Sequence, residues 1–248
     1  MSLSVFQREL ARMVADPNHR RRIAAAPEAV LTPLHLDERE RRRLTAFAHD
    51  PGMRVNTVLY RANRLAPIYS ALPRTCDALA DQLGEVLREF WSSHELEDLQ
   101  FPNEAARFVA FLRRSRHVVG QHGLAALVAL ELAIFELLLL PRSRLRAQCA
   151  LPGRRCTMHL LVRAVAVDVD PTSLIAAIAG TAPPLPAGQG AGGVLVDHRF
   201  DPGCLWPLSP AELAWCRAVR PGRSIPKAAR SWLADRNWLI GGRTRTTH

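Results

Sequence analysis

LPGRRCTMHLLVRAVAVDV, Leu151–Val169, is where the chain changes its hydrophobic period. Before it, apolar residues recur every three or four positions, as on one stripe of a helix. From His159 onward the pattern turns to Val and Leu in partial alternation, which reads as a strand. Upstream, Leu3, Phe6, Leu10 and Met13 keep helical spacing, and Cys76, Leu79, Leu83, Val86 and Phe90 read as a second stripe on one helix. Punctuation agrees: Asp16-Pro17 ends the first helix, Asp50-Pro51-Gly52 closes a short N-terminal region, and Pro73 and Phe101-Pro102 each open a further helix. Downstream, Gly193–Phe200, GVLVDHRF, reads as a second strand, with a short helix over Pro171–Ala179 and a Pro/Gly-rich loop over Thr181–Gly192 before it. Ser209-Pro210-Ala211-Glu212 has the form of a capped helix start. A last helix is expected over Ile225–Leu239, after the turn at Pro221-Gly222.

Two strands followed by helix, turn and helix form a winged-helix arrangement. The expected fold class is therefore α+β, mainly α. A helical domain fills 1–150, with an N-terminal extension over 1–50 and a bundle over 51–150. A small winged-helix-like domain follows over 155–242, then a frayed tail over 243–248.

The 248 residues are 48% hydrophobic, ample for a core. Lys and Arg number 33 against 23 Asp and Glu, a net charge of +10 that favours anionic partners without choosing among nucleic acid, membrane surface and acidic peptide. The five cysteines include no Cys-x-x-Cys pair and no His at zinc-finger spacing, so a structural metal site is not expected. The first residues, MSLSVFQRELARM, interrupt with charge the apolar run a secretory signal needs, and a cytoplasmic protein with reduced thiols is expected. Gly123–Leu140 approaches the length of a membrane span, but it carries Glu131 and Glu136 and is closed by Pro141; a buried helix is the better reading.

Catalytic signatures do not appear. There is no Gly-x-Gly-x-x-Gly, Walker loop, Gly-x-Ser-x-Gly or His-Glu-x-x-His. The histidines, among them His94, His117, His122, His159 and His198, are scattered singly. Cys204 and Cys216 have no adjacent His or cationic run to lower a thiol pKa and read as buried apolar thiols. The clusters His19–Arg22, Arg39–Arg43 and Arg113–Arg116 read as solvated helix faces, because no aromatics alternate with them as in a single-strand groove. Trp206, Trp215, Trp232 and Trp238 crowd the last 45 residues or so, two as core and two as candidate groove residues.

One stretch carries a family resemblance. Leu59–Trp91, LYRANRLAPIYSALPRTCDALADQLGEVLREFW, with Phe101-Pro102-Asn103-Glu104, RFVAFLRRS and Leu124–Ala133, resembles the helical domain of partner proteins of multinuclear non-haem iron oxidases. These act in the biosynthesis of ribosomal peptide natural products, the methanobactin partner subunits among them. The resemblance covers about Val55–Ala133 and consists of helix-packing positions, with Tyr60, Arg61, Asn63 and Arg64 as the implied partner-docking residues. It implies a non-catalytic subunit with no cofactor of its own, the iron lying in a separate barrel-fold oxidase with which it forms a heterodimer. The C-terminal module would be a precursor-peptide recognition element, and the modified residue a cysteine of that peptide. Leu195, Asp197, Arg199, Trp206, Arg230 and Trp232 are the expected peptide-binding residues. A disordered leader added to a sheet edge has its backbone satisfied, and tethering it raises the core peptide's concentration at the oxidase. The alternative is a winged-helix transcription regulator reading DNA with Pro226–Trp238, which holds Lys227, Arg230 and Arg236 but also Asp235. An autonomous metalloenzyme would require the scattered histidines to converge.

Overall fold

The computed structural model describes residues 3–93, 101–141, 143, 157–183, 189–199, 203–219 and 225–240. It is mainly helical with a small sheet, the α+β class expected. The chain forms two compact units, Met1–Ser70 with Asp81–Phe111, and Ala71–Ala80 with Leu112–His248. The change of period marks where the strands begin, and the second unit also takes in helices that precede it.

The first unit holds α1 (Leu3–Ala15), α2 (Pro17–Ala25), α3 (Pro27–Leu31), α4 (Glu38–His49), most of α5 (Gly52–Ala71), α7 (Leu83–Ser93) and most of α8 (Phe101–Leu112). Local chemistry starts these helices. Asp16 caps α2, its carboxylate accepting from the Asn18 amide at 2.8 Å with Pro17 in the first position. Asp37 and Glu40 close a capping box on α4, each side chain accepting from the other residue's amide at 2.7 and 2.9 Å. Met13, Ile23, Leu31, Leu44 and Met53 form the buried core of α1 to α4 and the start of α5. A second apolar centre stacks Phe90 edge-on to Phe108, ring centroids 5.2 Å apart, with Phe111 5.5 Å from Phe90. Of the basic cluster on α2, His19 is not solvated: it is buried, and its Nε2 lies 2.7 Å from Glu9.

The second unit holds α6 (Pro73–Leu79), α9 (His122–Leu138), β1 (Thr157–Met158), β2 (Val162–Val169), α10 (Pro171–Ala179), β3 (Gln189–Asp197), β4 (Cys204–Leu208), α11 (Pro210–Ala218), α12 (Lys227–Asp235) and β5 (Leu239–Ile240). β2, β3 and β4 make an antiparallel sheet with β3 in the middle, registered Val162 to Asp197 and Leu195 to Trp206. β1 pairs with β5 separately. α9 takes in all but the last two residues of the apolar segment Gly123–Leu140 and is buried on most of its circumference, packing on β2, α6 and α10. No helix among the described residues is long and apolar enough to cross a membrane.

Glu131 explains the acidic residue within that apolar helix. Its two oxygens accept from the backbone amides of Arg74 at 2.7 Å and Thr75 at 2.8 Å. These are first-turn donors of α6, whose own N-cap position is Leu72 and supplies no side-chain cap. A carboxylate from another helix therefore takes the role that Ser or Asp usually fills.

The expected elements are corrected at several points. Cys76, Leu79, Leu83, Val86 and Phe90 do not share a helix: Ala80 turns to φ 38° and a short 3-10 turn, Ala80–Gln82, separates α6 from α7. The strand expected at Gly193 begins at Gln189, inside the expected loop, because the glycines there allow close packing. A Cβ on Gly193 would lie 2.7 Å from the Val165 carbonyl oxygen and 2.8 Å from a Leu213 methyl. The strand ends at Asp197, and Phe200 lies outside the described residues. The last helix is shorter than expected, Asn237 adopts φ 55°, and β5 follows. The expected frayed tail and residues 184–188 of the expected loop also lie outside the described residues.

Candidate functional site

The C-terminal unit presents a groove of about 830 Å³ between α11 and the β2–β3 pair. Ala166 and Val167 come from β2, Gly192 from β3, and Leu213, Ala214 and Arg217 from α11. The capping box of α11 fixes this helix at its start: the Ser209 hydroxyl accepts from the Glu212 amide, and Glu212 accepts from the Ser209 amide at 2.9 Å. Small side chains make the groove. A Cβ on Gly192 would lie 2.5 Å from the Leu208 carbonyl oxygen, so only glycine lets β3 pass here. Ala166, Ala191 and Ala214 are exposed, and the walls are apolar except for the exposed Arg217. β2 is an outer strand of its sheet.

Of the residues expected to hold a peptide, all but Arg230 gather elsewhere in this unit, around the end of β3. Leu195 is fully buried in the core with Leu208, Leu213, Leu233 and Trp238, so its side chain builds the module and does not face a ligand. Asp197 is 2% exposed and spent internally: it accepts from Arg199 Nη2 at 2.6 Å and from the Trp238 indole at 2.8 Å. Arg199 also donates to the Arg236 carbonyl at 3.1 Å and to that of Asn237, tying β3 to the segment after α12. Burial raises the Asp197 pKa, but the bonds from Arg199 and Trp238 outweigh it and hold the carboxyl below the usual aspartate range. Trp206 is 49% exposed, Arg230 is exposed and Trp232 half-buried. Indole edges link Trp206, Trp238, Trp232 and Trp215 at centroid distances of 5.2 to 6.4 Å, and Arg236 lies 4.6 Å over Trp232. Of the six residues expected, Trp206 and Arg230 therefore present surface, while Leu195 and Asp197 are structural.

On α5 the expected docking residues divide the same way. Asn63 is exposed, Tyr60 and Arg61 are half-buried, and Arg64 is buried, its Nε 2.6 Å from Glu104. The guanidinium lies 5.6 Å from the Phe90 and Trp91 rings and 5.7 Å from Tyr60. Sequence reading missed the residues beside them: Val55, Val58 and Leu59 are each more than half exposed. Their spacing of three and four puts them on one helical stripe, a signal present in the sequence but indistinguishable there from a core stripe.

The thiols have a simple account. Burial pushes the Cys76 thiol up to about 12, assisted by the nearby Glu131 and Asp77, and burial together with Glu212 pushes Cys216 up to about 11. Neither is poised as a nucleophile. Three histidines also have local roles. His19 meets Glu9, His122 pairs with Asp168 of β2, and the His159 ring accepts from the Leu161 amide at 3.1 Å.

No protein-family model matches this chain, and no curated protein matches it.

Proposed function

We propose that this chain is a non-catalytic, peptide-binding partner subunit, with the groove between α11 and the β2–β3 pair as its peptide site. The observation that carries this reading is the groove itself, apolar, floored by glycine and alanine, rimmed by Arg217 and bordered by an outer strand. An extended segment laid along β2 would find backbone partners on the strand and shallow pockets for alternate side chains. Arg217 and the net charge of +10 favour an acidic leader. The winged-helix-like arrangement of this unit belongs to the same proposal, and so does the exposed stripe Val55, Val58 and Leu59 as the surface for an enzyme partner. That the enzyme is a multinuclear non-haem iron oxidase acting on a cysteine of the peptide rests on the resemblance of Val55–Ala133.

The test uses the full chain and a fluorescein-labelled acidic peptide of leader length. Anisotropy should show saturable binding, weakened at least about tenfold by Ala214→Trp, which fills the groove. Ala214→Trp should leave the melting temperature unchanged, since Ala214 is exposed. Binding indifferent to this substitution removes the groove from the proposal. Salt-dependent binding to duplex DNA, lost in an Arg230→Gln and Lys227→Gln variant, would favour the regulator instead.

A further inference from the structure

The first unit contains a second cavity, remote in kind from the apolar groove. It measures about 460 Å³ and is lined by Arg21 of α2, Arg61 and Arg64 of α5, and Arg88 and Trp91 of α7, with Asp16 and Asn18 at the start of α2. Four guanidinium groups thus line it from three helices, and Asp16 is the one carboxylate among the lining residues. Asp16 caps α2, and Glu104 holds Arg64 through Oε1, its Oε2 being buried without a partner. Arg21 donates to Asn18 Oδ1 at 2.8 Å, and Arg88 donates its Nε to the carbonyl of Gly84 in its own helix at 3.2 Å. Neither is ion-paired with a carboxylate among the described residues. The walls also contain two buried donors with no hydrogen-bond partner, the Nε of Arg61 and the Nε1 of Trp91.

The lining of this cavity sets four guanidinium groups against a single carboxylate, Asp16, a surplus of positive charge. Buried donors without acceptors are uncommon, and each is destabilising. Guanidinium groups match the geometry of oxyanions, which they bind through paired N–H groups. A carboxylate brings two oxygens, whereas a terminal phosphoryl group brings three and up to two negative charges, closer to what several converging guanidinium groups can take. The volume exceeds a bare phosphate and falls within the range of small-ligand sites.

We propose that this cavity is a binding site for a small phosphorylated ligand, such as a phosphomonoester or diphosphate, held chiefly by Arg61 and Arg88. Arg64 sets the back wall: its pair with Glu104 and its place among Tyr60, Phe90 and Trp91 fix it against motion. The site is independent of the peptide groove and stands whether or not that groove holds a leader.

The experiment titrates the full chain calorimetrically with pyrophosphate, with AMP and, as a carboxylate control, with citrate. Saturable binding of pyrophosphate or AMP is expected, weaker at high salt because the attraction is ionic. Arg88→Gln alone should weaken it about tenfold or more, and Arg61→Gln with Arg88→Gln should abolish it. Arg88 is exposed, so its variant should melt with the parent, and Arg21→Gln, also exposed, provides a second substitution if Arg61→Gln fails to fold. Absence of binding by pyrophosphate and AMP up to about 1 mM overturns the proposal. Binding unchanged in both Arg88→Gln and Arg21→Gln does the same, and citrate binding as tight as pyrophosphate overturns the phosphoryl assignment.

Discussion

Replacing Glu131 by Ala removes the acceptor for two amides of α6, and the size of the effect follows from their surroundings. Thr75 is wholly buried, so its N–H cannot turn to water; Arg74 is half-buried and recovers part of its solvation. Hydrogen bonds to a charged group contribute about 1.5–3 kcal/mol each. Against this stands the penalty of burying the carboxylate, visible in a pKa raised by burial despite the opposing bonds from Arg74 and Thr75. The net loss for Glu131→Ala should be about 2–4 kcal/mol, and for Glu131→Gln, which keeps one acceptor, about 1–2 kcal/mol. Urea unfolding followed by tryptophan fluorescence is suited to the measurement, since Trp206, Trp215, Trp232 and Trp238 share a unit with Glu131 and Trp91 alone lies in the other. The pH dependence carries a sign. Between the ordinary glutamate pKa and its raised native value, the native state retains a proton that the unfolded chain has lost. Stability therefore falls as pH rises through that window, and Glu131→Gln removes this part of the slope. An Ala variant within about 0.5 kcal/mol of the parent would show that α6 does not depend on this cap.

Asp197 should behave in the opposite sense. Its native pKa is depressed, so its contribution is complete above the ordinary aspartate value and is lost as pH falls through the native one; Asp197→Asn should flatten the acid limb of a pH-stability curve followed by tryptophan fluorescence. In the first unit, Glu104→Gln breaks the buried ion pair with Arg64 and should cost about 3 kcal/mol by thermal or urea unfolding. The double variant Arg64→Met with Glu104→Gln should recover much of that loss, because the buried charge is gone.

The start at Ser209-Pro210-Ala211-Glu212 was legible because its cause is local, cap and first-turn proline lying within four residues, whereas Asp16-Pro17, which carries the same pair, reads in sequence only as the end of the first helix. The apolar alternation of Val162–Val169 was legible for the same reason. The first half of β3 was not. Gly190, Gly192 and Gly193 signal a loop by composition, and what makes them strand residues is the close approach of Val165, Leu208 and Leu213, set by chain far away. β4 is short and contains Pro207, which argues against a strand except at a sheet edge, where it lies. The break at Ala80 has no sequence marker, since alanine favours helix and rarely adopts a positive φ. At the candidate sites, the sequence marked Trp206 and Arg230, which are surface, but it could not separate them from Leu195 and Asp197. Burial there depends on Trp238, about forty residues further along. The groove itself is lined, Arg217 apart, by apolar and mostly small residues, which advertise no chemistry.

The cap on α6 also sets an order of events during synthesis. Arg74 and Thr75 leave the ribosome 57 and 56 residues ahead of Glu131. At typical translation rates that interval is about 3–11 s, long compared with the time in which a helix forms or melts. A nascent chain stalled before residue 131 would carry a seven-residue helix with uncapped amides and little reason to persist. The segment Ala71–Ala80 thus belongs in time, as well as in packing, to the later half of the chain. A fragment cut at the change of hydrophobic period would separate the cap and α6 from the sheet side of their unit.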